Sequence, residues 1–97
     1  MQPKFKLGRV VMTPLAIEAL QEAEQSADHF LDLHVGGTWG DLCAQDRRAN
    51  DDAIAHEDDA DRRARVLSAY RTVLGTRIYV ITEHDRSATT ILLPEEY

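Results

Sequence analysis

Cysteine is almost absent from this chain of 97 residues: Cys43 stands alone, so no internal disulfide can form and no oxidising compartment is required. Long apolar runs are missing too, and no stretch approaches the roughly 18 to 20 residues of a membrane span. The basic opening MQPKFKLGRV leads into only a short strand-like stretch and then Pro14, which does not fit a signal peptide. A cytoplasmic location is the expectation.

Catalytic and metal-binding motifs are equally scarce. The chain has no HExxH, no paired CxxC and no GxSxG around Ser68 or Ser87. Of four histidines, His29 and His34 are five apart, a poor spacing for one helix face, while His84-Asp85 reads as a turn. The carboxylates at 51–61 lack the alternating ligands, central glycine and closing glutamate of a calcium loop. Gly36 and Gly37 precede a predicted helix start but carry no further part of a phosphate-binding pattern. No cofactor, metal or catalytic residue is therefore assigned, and Cys43 is expected to be a small apolar residue on a partly buried helix side.

What the chain has is an uneven charge map. Its formal charge is -6, yet residues 14–61 hold thirteen carboxylates against only Arg47 and Arg48, whereas both flanking segments are basic in balance. If the acids share a face, that face repels nucleic acid and attracts basic protein surfaces. With 43% apolar residues, the composition is that of a folded protein, and its length suits one domain, 1–97, with a modest core.

The pattern predicts an α+β fold: a small antiparallel sheet made of an N-terminal strand and a C-terminal three-stranded meander, covered by two or three helices. Residues 5–12 read as a strand in which Gly8 marks a bulge or a close neighbouring backbone. Thr13-Pro14 reads as a cap and first turn, opening an amphipathic helix over about 14–25 with Glu18 and Glu22 on its polar side. Ser26 caps a second helix over 27–35, which places Phe30, Leu31 and His34 toward the core and is closed by Gly36-Gly37.

Thr38-Trp39-Gly40-Asp41 has the form of a capping box, and so predicts a third helix over about 39–56. Arg47 with Asp51 and Arg48 with Asp52 are spaced for surface ion pairs on it. Trp39 is expected to plug the junction of helices and sheet, its indole nitrogen bonded to a carbonyl. Strands are predicted at 65–74, 77–83 and 88–93, with Gly75-Thr76 and residues 84–87 as the turns. In the middle strand Ile78, Val80 and Thr82 share one side.

The segments KLGRVVMTP (6–14), TWGDLCAQDRRAND (38–51) and TRIYVITEHDRSATTILLPEEY (76–97) resemble a family of small uncharacterised proteins encoded on bacterial plasmids and other mobile elements. Some of its members carry a restriction-associated label. The resemblance implies no catalytic residues; it implies a setting in which acidic inhibitors of host defence or DNA-binding complexes are common.

The functional expectation is a non-enzymatic interaction module that presents Glu18, Glu22, Asp46, Asp51, Asp52, Asp58 and Asp59 to a basic protein surface, with an anti-defence inhibitor as its most concrete version. A homodimeric structural or regulatory protein is the alternative. The third reading is a weak nucleic-acid ligand through Tyr70, Arg71, Arg77, Tyr79, His84 and Arg86, which the net negative charge disfavours.

Overall fold

In the computed structural model, which describes residues 3–97, three helices pack on a four-stranded sheet. The strands are β1 (Arg9–Met12), β2 (Val66–Arg71), β3 (Arg77–Thr82) and β4 (Ala88–Leu92), in spatial order β1-β4-β3-β2. The helices are α1 (Pro14–Ala23), α2 (Ala27–Val35) and α3 (Ala44–Ala55), and a short 3-10 turn at Pro94–Glu96 follows the last strand.

The meander is antiparallel as expected: Tyr70 pairs with Ile78, Val80 with Ile91, and Thr82 with both Val66 and Thr89. β1 is different. It adds to β4 in parallel, with Val10 opposite Thr89 and Met12 opposite Ile91, so the sheet is mixed rather than antiparallel. The whole helical segment lies between β1 and β2 in sequence, and a connection of that length leaves the first strand free to enter in either direction.

β1 is also shorter than residues 5–12. Gly8 has a φ of 66° and sits so close to the backbone of Arg86 and Ser87 that no side chain would fit. Upstream of it the chain leaves the sheet and Phe5 enters the core.

Strand alternation sorts the sheet into two faces. Val66, Ser68, Tyr70, Ile78, Val80, Thr82, Thr89 and Ile91 lie buried on the helix-bearing side. Ala16 and Leu20 of α1 and Phe30 and Leu31 of α2 complete the main cluster with Tyr70, Ile78, Val80 and Ile91. A second cluster joins Phe5, Trp39, Ala53 and Val66. Burying a large apolar side chain contributes about 1.5–3 kcal/mol, so these layers outweigh the intrinsic helicity of segments only 9 to 12 residues long.

Both early caps form as the sequence predicts. The Thr13 hydroxyl accepts from the Ala16 amide at 3.1 Å and the Ser26 hydroxyl from the Asp28 amide at 3.1 Å. α1 starts beside Leu93 and ends where the Gln25 side chain accepts from the Val73 amide at 2.9 Å, so it crosses the end of the sheet near the β2–β3 turn. α2 ends in Gly36, followed by the left-handed Gly37 with φ 85°.

The third helix departs most from expectation. It begins at Ala44 instead of residue 39, and Cys43, an exposed residue with no side-chain capping bond, holds the cap position. The reason lies in β2. Gly40, with φ 77°, forms a bridge to Ala69; the Ala69 amide donates to the Trp39 carbonyl at 3.1 Å and the Asp41 amide to the Ala69 carbonyl at 2.7 Å. Those bonds draw Thr38–Asp41 out beside the strand, and the capping box is not made.

Candidate functional site

At the centre of the molecule the helix-bearing face carries a line of polar side chains where apolar ones would be ordinary. His34, from α2, is fully buried and lies between two strands. Its Nδ1 is 2.5 Å from the Ser68 hydroxyl on β2, and its Nε2 is 2.9 Å from the Thr82 hydroxyl on β3. Thr82 and Thr89 hydroxyls are 2.6 Å apart, and the Thr89 hydroxyl donates to the Leu7 carbonyl at 2.7 Å.

With the imidazole neutral, as its burial dictates, counting protons fixes every direction in this relay. Thr89 uses its only proton on Leu7, so Thr82 must donate to Thr89. Thr82 then has only lone pairs for the ring, so Nε2 carries the imidazole proton and Nδ1 accepts from Ser68. Each donor is spent once.

Burial, and secondarily the nearby Arg86 cation, lower the His34 pKa from 6.5 to about 3. Phe5 and Trp39 pack edge-on to its ring, at centroid distances of 5.1 and 6.1 Å. A serine beside an imidazole is the combination that nucleophilic catalysis employs, but here both are shut off from solvent and the ring is a very weak base. The relay holds α2 to the sheet.

A second buried polar centre sits at one end of the sheet. Arg86, in the turn between β3 and β4, has a φ of 59°, a left-handed conformation that costs a non-glycine residue about 1 kcal/mol. Its Nη2 donates to Glu57 Oε1 at 2.7 Å and its Nε to Oε2 at 3.0 Å, while Nη1 donates to the carbonyls of Ala64 and Glu83 at 2.8 and 2.9 Å. The guanidinium also lies over the Phe5 ring, 5.5 Å from its centroid. Together these contacts offset the backbone cost. The junction forms one wall of an open cleft of about 640 Å³, where Lys4, Lys6 and Arg63 alternate with Asp58 and Asp85. Mixed charge of this kind selects no one ligand sign.

The seven acidic residues singled out from the sequence are all exposed, but they fall in two places. Glu18 and Glu22 lie on α1 beside Thr76 and Leu93, at the β2–β3 turn end. Asp46, Asp51 and Asp52 run along α3, and Asp58 and Asp59 follow it toward the Arg86 end. The ion pairs expected along α3 are not formed. Arg47 turns back to the carbonyls of Leu42 and Gly40, Asp52 approaches His56 at 3.8 Å, and Asp51 accepts from the Trp39 indole at 3.0 Å.

Trp39 is thus the buried plug that was expected, with a carboxylate rather than a carbonyl as its partner. Thr38 lends its carbonyl to the Tyr70 hydroxyl at 2.7 Å instead of capping a helix, and the Asp41 carboxylate stands 3.7 Å from Arg71. Burial raises the Tyr70 pKa to about 12, partly offset by Ser68.

The six residues grouped as nucleic-acid contacts do not converge. Tyr70 is on the helix-bearing face and Arg86 is sealed by Glu57, whereas Arg77 lies over Tyr79 on the opposite face. Among the described residues no group of three or more His, Cys, Asp or Glu side chains is arranged to hold a metal ion, and no helix is long and apolar enough to cross a membrane.

No family model, curated protein or solved structure matches the chain. Function therefore has to be argued from the geometry of its own residues.

The sequence reading missed Asn50, the relay and the Arg86 junction. A signal for the relay was present: Ser68, Thr82 and Thr89 interrupt strand positions whose neighbours on the same face are Val66, Tyr70, Ile78, Val80 and Ile91. Polar residues on a buried face need a partner, and His34 on the apolar side of α2 supplies it.

Proposed function

We propose that the protein is a non-catalytic interaction module whose acidic α3 flank docks on a basic protein surface, such as a groove that otherwise holds a nucleic-acid backbone. The observation that carries this reading is that Asp46, Asp51, Asp58 and Asp59 are exposed and none is joined to an arginine, while Arg47 is spent on backbone carbonyls and Arg86 on Glu57. Carboxylates with no cation paired to them repel other anions and speed encounter with cations. The non-catalytic part of the reading is supported by the His34–Ser68 pair, a base and a hydroxyl that are both sealed from solvent.

Inhibition of a DNA-binding complex, in the manner the sequence resemblance implies, is the most concrete form of this proposal. Glu18 and Glu22, on α1, fall outside the docking flank.

The test is capture from a bacterial lysate on the immobilised chain, alongside the variant Asp46→Asn/Asp52→Asn/Asp58→Asn/Asp59→Asn. Asp51 is left in place because it holds Trp39. The expected partner is retained at low salt, released at high salt or by added duplex DNA, and lost to the variant. Equal capture by both chains, or capture by neither, would overturn the reading.

A further inference from the structure

We propose that the outer edge of β1 is a homodimerisation strand, pairing antiparallel with β1 of a second copy about a two-fold axis that passes between the two Val11 residues. This goes beyond the acidic-flank reading and does not depend on it.

The backbone of β1 is half used. The amides of Arg9 and Thr13 turn inward, bonding the carbonyls of Ser87 at 3.0 Å and Ile91 at 3.1 Å on the β4 side. Alternation therefore turns the N–H and C=O groups of Val10 and Met12 outward, away from β4. Neither outward amide has a backbone or side-chain acceptor among the described residues. Among the described residues none covers this edge: Leu7, before it, bonds Thr89 across the sheet, and α1, after it, crosses the strand ends toward Val73.

The side chains there are not those of a protected edge. Its two valines are both open to solvent, Val10 42% and Val11 37% exposed. No lysine or proline interrupts β1 itself, although such residues are the usual guards of a free strand.

A second copy fits this edge in one register. Antiparallel pairing must match outward-facing residues with each other, which allows Val10 to face Val10, Met12 or Pro14 of the other copy. The first choice sets Met12 against Gly8, whose left-handed backbone is not extended. The third sets Val10 against Pro14, which has no amide proton. Only Val10 against Met12 uses both outward residues of each copy, giving four interchain hydrogen bonds with Val11 facing its own symmetry mate.

That register is also complementary in charge. It places Arg9 opposite Thr13 of the other copy, and the Thr13 hydroxyl donates at 2.7 Å to Glu96, whose carboxylate is thereby fixed beside it. Arg9 and Thr13 point to the same face, the one opposite the helices. The two-fold thus brings Arg9 of each copy toward Glu96 of the other, twice, and keeps the two Arg9 residues at opposite ends of the paired strands. A four-residue strand gives a small contact, so the dimer belongs to the weak, concentration-dependent class.

Sedimentation equilibrium over a range of about 10 µM to 1 mM should show the average mass climbing from 10.9 kDa toward twice that value. Over the same range, amide exchange of Val10 and Met12 should slow while that of Val11, already turned to β4, does not change. Val11→Lys puts two cations face to face on the axis and should weaken association about tenfold or more, with the monomer's spectrum intact because Val11 is exposed. Arg9→Glu should weaken it by roughly two- to fivefold, an effect that salt reduces. A chain that stays monomeric throughout overturns the proposal, as does a dimer that survives Val11→Lys unchanged or protects helix amides while Val10 and Met12 remain fast. Protection of Val10 and Met12 only when another protein is added would assign the edge to a foreign strand and equally overturn it.

Discussion

Along β2 the outward backbone groups of Leu67 and Ala69 are all taken, whereas along β1 those of Val10 and Met12 meet no partner among the described residues. Asn50 of α3 imitates a strand residue. Its Nδ2 donates to the Leu67 carbonyl at 2.6 Å and its Oδ1 accepts from the Leu67 amide at 3.1 Å. Two residues further, the Trp39–Asp41 segment bonds both groups of Ala69. One edge is thus closed by the chain itself, using a glycine turn and a buried side-chain amide. The difference teaches that an edge needs specific chemistry to be sealed, and that β1 lacks it.

The largest effect should come from breaking the closed edge at Gly40. Gly40→Val puts a side chain into the Ala69 carbonyl at a left-handed backbone position, and should cost about 3 kcal/mol or more in urea unfolding. Val10→Thr, on the open edge, serves as the control.

Asn50→Ala comes next. It leaves the Leu67 N–H and C=O without partners at a 4% exposed position, a loss of about 2–3 kcal/mol, and should speed exchange of the Leu67 amide.

Acid tests the buried centre that the closed edge protects. The His34 pKa is 6.5 in the unfolded chain and about 3 when folded, so below pH 6.5 the unfolded state takes up a proton that the native state refuses. Stability from this source is complete above pH 6.5 and falls as pH drops toward 3, by about 2 kcal/mol at pH 5. Urea unfolding at pH 7 and pH 5 measures the loss, and a His34 ring resonance that titrated near 6.5 in the native protein would refute the buried, neutral assignment.

The smallest effect is expected at the open edge. Val10→Thr should change monomer stability by no more than about 0.5 kcal/mol, since the side chain is 42% exposed and the backbone is unpaired on that side. A loss as large as that at Gly40 would mean that the two edges are not different after all.

Where the sequence was legible, local chemistry sufficed. Thr13, Ser26 and Gly37 act on neighbours within a few residues, and α2 occupies the span that its caps and apolar spacing predict. The β2–β3 turn and the side shared by Ile78, Val80 and Thr82 follow from alternation and a glycine at residue 75. The seven acidic residues were legible as exposed, and their division between α1 and the α3 flank was not, because it depends on α1 crossing the end of the sheet.

What the amino-acid order determined alone is the set of elements, the apolar face of each and the surplus of carboxylates in the helical half, because these depend on spacing within one segment. Tertiary structure decided the rest. It set the parallel entry of β1, the delayed start of α3 after Gly40 was drawn to Ala69, the proton placement on His34 and the capture of Arg86 by Glu57. Each of these joins groups between 29 and 79 residues apart, and a buried donor or acceptor is satisfied by whatever the folded chain brings beside it, which no local window of sequence contains.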